Sequence, residues 1–239
     1  LFAAFEGIAV AGRKFRAAGI GAVAAAGACV MLSACSSVQI GAAAIVGNER
    51  ITQSTLNTQV TNFQQAATKY PGEIQLTGAA IPQTVLGWLI KFRIMDRTAS
   101  AAGISVSNTQ IQQGLADIEE QAAQAVTQNG GGSAPALLLD SGITPQLMPD
   151  LGKYEAQDLA LAMQANGGKL PTTTAQDNTV TAALNKSSCL AAKSLDIKVN
   201  PQFGRLDYTA YTVVSIPDTL SATPGKPAAA STSGLTPAC

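Results

Sequence analysis

Between Pro82 and Met95 the chain reads Pro82-Gln83-Thr84-Val85-Leu86-Gly87-Trp88-Leu89-Ile90-Lys91-Phe92-Arg93-Ile94-Met95. On a helix, Val85, Leu86, Leu89, Ile90, Phe92, Ile94 and Met95 cover most of the circumference, while Arg93, Arg97 and Ser100 keep one polar edge. A helix apolar on so many sides sits at the centre of a bundle. The spacing predicts that it opens near Pro82 and runs to Ala102, with Gly103 as the left-handed residue past its end. Trp88, the single tryptophan, is expected in the core.

Upstream, Ala42 to Val46 and Glu49 to Ile51 flank Gly47-Asn48, a turn dipeptide suited to positive φ, so a short β-hairpin is predicted. Thr52 offers an N-cap oxygen, and Leu56, Val60, Phe63, Ala67 and Tyr70 then form one apolar helical stripe that stops at Pro71-Gly72. Downstream, Ser107 and Gln110 form a capping box ahead of Ile111, Leu115, Ile118, Ala122 and Val126, and Asn129-Gly130-Gly131-Gly132 ends that helix. A short apolar piece, Ala136 to Leu139, precedes Ser141-Gly142. Thr144-Pro145 begins a further helix, regular from about Asp150 to Ala165, and a last one spans about Ala175 to Leu195. Asp196 to Asn200 reads as a strand, Pro201 to Gly204 as a turn, and Tyr208 to Ile216 as extended. Five helices with short extended pieces make a mainly α domain over residues 42–216. From Pro217 to Cys239 the Pro, Ala, Ser and Thr content predicts a disordered tail.

Arg13, Lys14 and Arg16 precede an uncharged run, Ala17 to Ala34, in the order of a secretory signal. The run closes on Leu32-Ser33-Ala34-Cys35, which resembles a bacterial lipobox. That resemblance implies cleavage after residue 34 and a lipid on Cys35, with residues 35–41 as a tether. The alternative is an uncleaved anchor, since the run approaches the ~20 residues that span a bilayer; its Ala and Gly content weighs against this. Residues 1–12 read as an over-long gene start, with Val10 as another possible beginning. Loss of residues 1–34 removes Glu6 and three basic residues and leaves a slight negative charge. Cys189 and Cys239 could then oxidise to one disulfide. A buried Cys189 thiol with Cys239 at the end of a mobile tail is favoured, because closing the bond would order the tail.

The 15 basic and 15 acidic residues balance, so no basic footprint for nucleic acid exists. The chain has no histidine, which removes His-based zinc sites and Ser-His or Cys-His nucleophile pairs. Gly130-Gly131-Gly132 lacks the strand before it and the Lys-Ser/Thr after it that a phosphate loop needs. Adjacent Glu119 and Glu120 diverge by about 100° on a helix and cannot act as a paired acid and base. Asp150, Glu155 and Asp158 suit the early part of a helix, and Arg93 with Arg97 could hold a carboxylate or simply pair with Asp96. These readings predict no enzyme, no metal and no cofactor.

Two segments carry a family resemblance. They are Ala43-Ala44-Ile45-Val46-Gly47-Asn48-Glu49-Arg50-Ile51-Thr52, directly before an amphipathic helix, and Val199-Asn200-Pro201-Gln202-Phe203-Gly204. Together, over roughly residues 41–207, they resemble the SurA N-terminal-like domain of extracytoplasmic chaperones and of many lipoproteins of high-GC Gram-positive bacteria. The resemblance implies a helical peptide-binding cradle whose last strand, Asp196 to Asn200, returns beside Ala43 to Val46. Relatives often insert a parvulin prolyl isomerase domain; the interval from Asn166 to Asn200 is too short for one, and the histidines of its pocket are missing. Gly47-Asn48 reverses the usual Asn-Gly turn, Gln202 replaces a frequent Arg, and Leu206 a frequent aromatic.

The expected function is a non-enzymatic, ATP-independent binder of unfolded or newly exported polypeptides, lipid-anchored through Cys35 on the outer face of the cytoplasmic membrane. The alternative is an adaptor lipoprotein for one cell-envelope partner. Phe63, Tyr70, Trp88 and Phe92 are the candidate groove residues, and each would equally serve the core.

Overall fold

The computed structural model describes residues 40–129 and 131–216. The expected signal segment, Cys35, the start of the expected tether and residues 217–239 with Cys239 lie outside these residues. The chain opens with the expected hairpin, β1 (Ala42–Val46) and β2 (Glu49–Thr52), paired antiparallel with Val46 opposite Glu49. Gly47 takes φ +61° while Asn48 keeps a negative φ. A two-residue turn with positive φ at its first position needs glycine there, which accounts for the reversed order of the dipeptide. The register shifts between Ala42 and Ala44. Ala42, Ala43 and Ala44 are wholly buried, so β1 is covered on both faces.

Thr52 caps α1 (Gln53–Ala67) by accepting the Thr55 N–H at 2.9 Å. Its stripe, with Leu56 and Phe63 buried, packs on α2 (Ala80–Ala101). As its composition requires, α2 is central: it touches α1, β1 and three elements from later in the chain. Its buried residues include Val85, Leu86, Ile90, Phe92 and Ile94. Next comes α3 (Asn108–Asn129). At its start the Ser107 N–H donates to Gln110 Oε1 at 2.8 Å and the Gln110 N–H to Ser107 Oγ at 3.3 Å, closing the capping box in both directions.

The apolar piece after the glycines is a helix in its own right, α4 (Ala134–Asp140), with Pro135 in its first turn. A 3₁₀ turn (Pro145–Leu147) leads into α5 (Met148–Ala165). α3 and α5 cross closely because both present glycine: a Cβ on Gly114 would stand 2.7 Å from the Gly152 carbonyl, and one on Gly152 2.8 Å from the Ile111 carbonyl. α6 (Thr174–Ser194) fills the interval before the C-terminal strands and packs on α2 and α5. The described residues thus hold six α-helices against the five expected, the extra one being α4.

β3 (Lys198–Val199) pairs antiparallel with β1, Ala44 opposite Val199, giving the sheet order β2-β1-β3. Asn200 completes the junction. Its N–H donates to the Ala43 carbonyl at 2.9 Å, its side-chain amide donates to the Ala42 carbonyl at 3.0 Å, and its Oδ1 accepts from the Gln202 N–H at 3.1 Å. The expected return of the C-terminal strand to the first strand is therefore present. Beyond it, β4 (Arg205–Asp207) and β5 (Thr212–Val214) form a second hairpin, which the sequence reading had as a turn and one extended stretch. Leu206 is buried opposite Val213. The hairpin packs on α2 beside Gly87. Cys189 corrects an expectation: on α6 it is half-buried and disulfide-bonded, not a buried thiol.

Candidate functional site

α4 has only two turns, with Pro135 in its first turn and Pro145 opening the next element, so it cannot cover the whole of the surface it lies against. A cleft of about 440 Å³ remains there. Ala66 and Tyr70 from the end of α1 line one side, and Ala134, Pro135, Leu138 and Leu139 of α4 line another. Ile143, Pro145 and Met148 close it from the segment entering α5, and Glu119 of α3 supplies its one charged group. Leu139 and Ile143 are buried at its base, whereas Tyr70, Leu138 and Met148 are only half-covered.

The wall is fixed at several points. Asp140 Oδ1 accepts the Gln75 and Leu76 N–H groups at 2.6 and 2.7 Å, holding the loop that follows Tyr70. Trp88 Nε1 donates to the Ser141 carbonyl at 2.7 Å. Fully buried Thr144 shares a 2.7 Å hydrogen bond with Gln59 Oε1 on α1. Gly142 has φ +87°, and a Cβ there would stand 2.5 Å from Thr84 Cγ2. These ties form before any ligand arrives, so an apolar group entering the cleft meets a set surface.

Of the four candidate groove residues, Tyr70 alone lines the cleft. Phe63 is 1% exposed and Phe92 4%, so both belong to the core; they lie on helix faces turned toward neighbouring elements. Trp88 and Phe92 are brought together, but with Tyr154 of α5 and away from the cleft lining: ring centroids are 5.7 Å apart for Trp88–Phe92, 6.0 Å for Trp88–Tyr154 and 6.1 Å for Phe92–Tyr154. Lys91 Nζ lies 4.7 Å from the Trp88 ring centroid, a cation–π contact, and burial lowers its pKa. Burial, reinforced by the Asp158 and Glu155 carboxylates, pushes the Tyr154 hydroxyl well above the usual tyrosine range.

The charged candidates have ordinary partners. Arg93 pairs with Glu49 at 3.2 Å and ties α2 to β2. Asp96 meets Lys153 at 2.6 Å and the Gln157 amide at 2.9 Å, joining α2 to α5. Glu120 accepts from Gln124 at 3.1 Å along α3. Burial raises the pKa of Glu155, with Asp158 and Asp117 adding to it, and burial raises that of Asp158. Among the described residues no group of three or more Cys, Asp and Glu side chains is placed to hold a metal ion. The cleft residues of α4 and its exit are all aliphatic, Pro or Met, so no aromatic side chain in the sequence marks them. The available signal was Ala136 to Leu139, an apolar run too short for a core helix and bracketed by prolines.

These features define a small helical domain closed by its own C-terminal strand, with a preformed apolar cleft under a short helix. The chain belongs to the SurA-like N-terminal domain family, whose model matches residues 15–147, more than half of its length. The match runs through β1, β2 and α1 to α4 and ends at the 3₁₀ turn, so it takes in all of the cleft but Met148. Comparison with curated proteins and with solved structures gave no match.

Proposed function

We propose that this protein is a chaperone-like, non-enzymatic and ATP-independent binder of unfolded or newly exported polypeptides, tethered by a lipid on Cys35 to the outer face of the cytoplasmic membrane. The observation that carries the binding role is the cleft, an apolar surface whose short helix α4 is tied at its C-terminal end to the loop after Tyr70 and to α2, in a domain of the SurA-like N-terminal family. Capture of an apolar side chain there needs no energy source beyond removal of apolar surface from water. The anchor rests on the lipobox resemblance; no helix among the described residues is long and apolar enough to cross a membrane.

Suppression of aggregation of an unfolding test protein, without nucleotide, tests the binding role. Suppression near one-to-one stoichiometry that is lost in a folded Tyr70→Ser variant is expected; no suppression at large excess would rule the role out. Cys35→Ser is expected to abolish incorporation of a fatty-acid label and to release the protein from membranes, and unchanged labelling would remove the anchor.

A second reading, an adaptor for one envelope partner, is favoured by the small size of the cleft, about 440 Å³. Crosslinking in cells separates the two: many products support a general binder and a single product the adaptor.

A further inference from the structure

The geometry points to a charge preference in the cleft: it selects apolar segments that carry a lysine or arginine beside the buried side chain. This rests on the reading of the cleft as a polypeptide site. The walls are apolar, but the single side chain among the lining residues that carries a charge at neutral pH is the Glu119 carboxylate. Glu119 is exposed, and among the described residues it takes part in no ion pair. A second carboxylate stands close by: Glu73 Oε2 accepts from Ser133 Oγ at 3.0 Å, one residue before Ala134 of the lining. No lysine or arginine lines the cleft; Lys69, next to Tyr70 in the chain, is exposed and outside the lining.

An apolar segment entering here therefore meets negative charge at Glu119 and, beside Ser133, at Glu73. A basic neighbour gains an attraction beside low-dielectric surface, and an acidic neighbour is repelled by the same groups. Hydrophobic contact sets the affinity, and the carboxylates set which apolar segments are taken.

Fluorescence anisotropy with three labelled peptides tests this on the full chain. All share one Leu/Phe-containing core, flanked by lysine, serine or glutamate. Binding in the order lysine, serine, glutamate is expected, with about three- to tenfold between the extremes at low salt, as exposed ion pairs give, and a smaller spread as salt screens the charges. Glu119→Gln, on the surface of α3, should narrow the spread, and Glu119→Lys should reverse it. Equal binding of all three peptides, with binding lost in Tyr70→Ser, would overturn the charge preference and leave the client-binding reading intact. Binding unaffected by Tyr70→Ser would overturn the assignment to this cleft. No binding of any peptide to the folded protein would overturn the client-binding reading itself, and this inference with it.

Discussion

The Trp88, Phe92 and Tyr154 cluster and the cleft beside Tyr70 use similar side chains, and both adjoin the segment around α4. In the cluster each ring finds another within about 6 Å, and the indole N–H is satisfied by the Ser141 carbonyl. At the cleft one aromatic ring faces aliphatic and proline side chains from a helix too short to close over it. Aromatic content therefore does not separate binding surface from core here. What separates them is whether neighbouring elements are long enough to fill the space, and Trp88 contributes to the cleft by holding its wall.

Substitutions test that division. Phe63→Ala should cost the most, about 3–5 kcal/mol by chemical denaturation, as for a large aromatic removed from a core. Tyr70→Ala, half-covered, should cost about 1 kcal/mol while removing peptide binding; equal losses of stability would erase the distinction. Asn200→Ala should cost about 1–3 kcal/mol by taking the side-chain partner from the Ala42 carbonyl and the Gln202 N–H, with no change in peptide affinity at saturating folded fraction. Trp88→Phe keeps the ring and deletes the bond to Ser141. It should cost about 1 kcal/mol but weaken peptide binding, and unchanged binding would show that the wall needs no tie from α2.

The smallest effect is pH-dependent. The folded pKa of Asp158 lies above its ordinary value of 3.8 because burial disfavours its charge. Such a group weighs against folding above its folded pKa and ceases to do so as the pH falls below its unfolded value. Asp158→Asn should therefore raise the melting temperature by a few degrees at most at neutral pH, and the gain should vanish below pH 3.8. A gain that persists in acid would point to packing instead of charge.

Much of the fold was legible because single residues declare it. Thr52 and the Ser107–Gln110 pair cap where their oxygens require, Gly47 and Gly103 take positive φ, and α2 is central because apolar residues cover all of it but one polar edge. α4 was not legible as a helix, since seven residues show too little periodicity. The second hairpin was hidden because its strands are three residues each and their register depends on Gly204, where a Cβ would stand 2.2 Å from the Val214 carbonyl. The cleft depends on what α4 leaves uncovered, a tertiary fact. Glu119 was visible only as an exposed helix residue.

The junction of β1 with Asn200 also bears on assembly during synthesis. The Asn200 side chain reaches back 158 residues to the Ala42 carbonyl, so β1 leaves the ribosome well before the strand that becomes its second neighbour. Throughout that interval β1 can pair on one edge only, and an open strand edge invites pairing with other chains. Three alanines, poor strand formers with little side chain to bury, make that waiting edge a weak template. A β-branched replacement such as Ala44→Val would then slow productive folding and promote association during synthesis, beyond any crowding it introduces in the finished core.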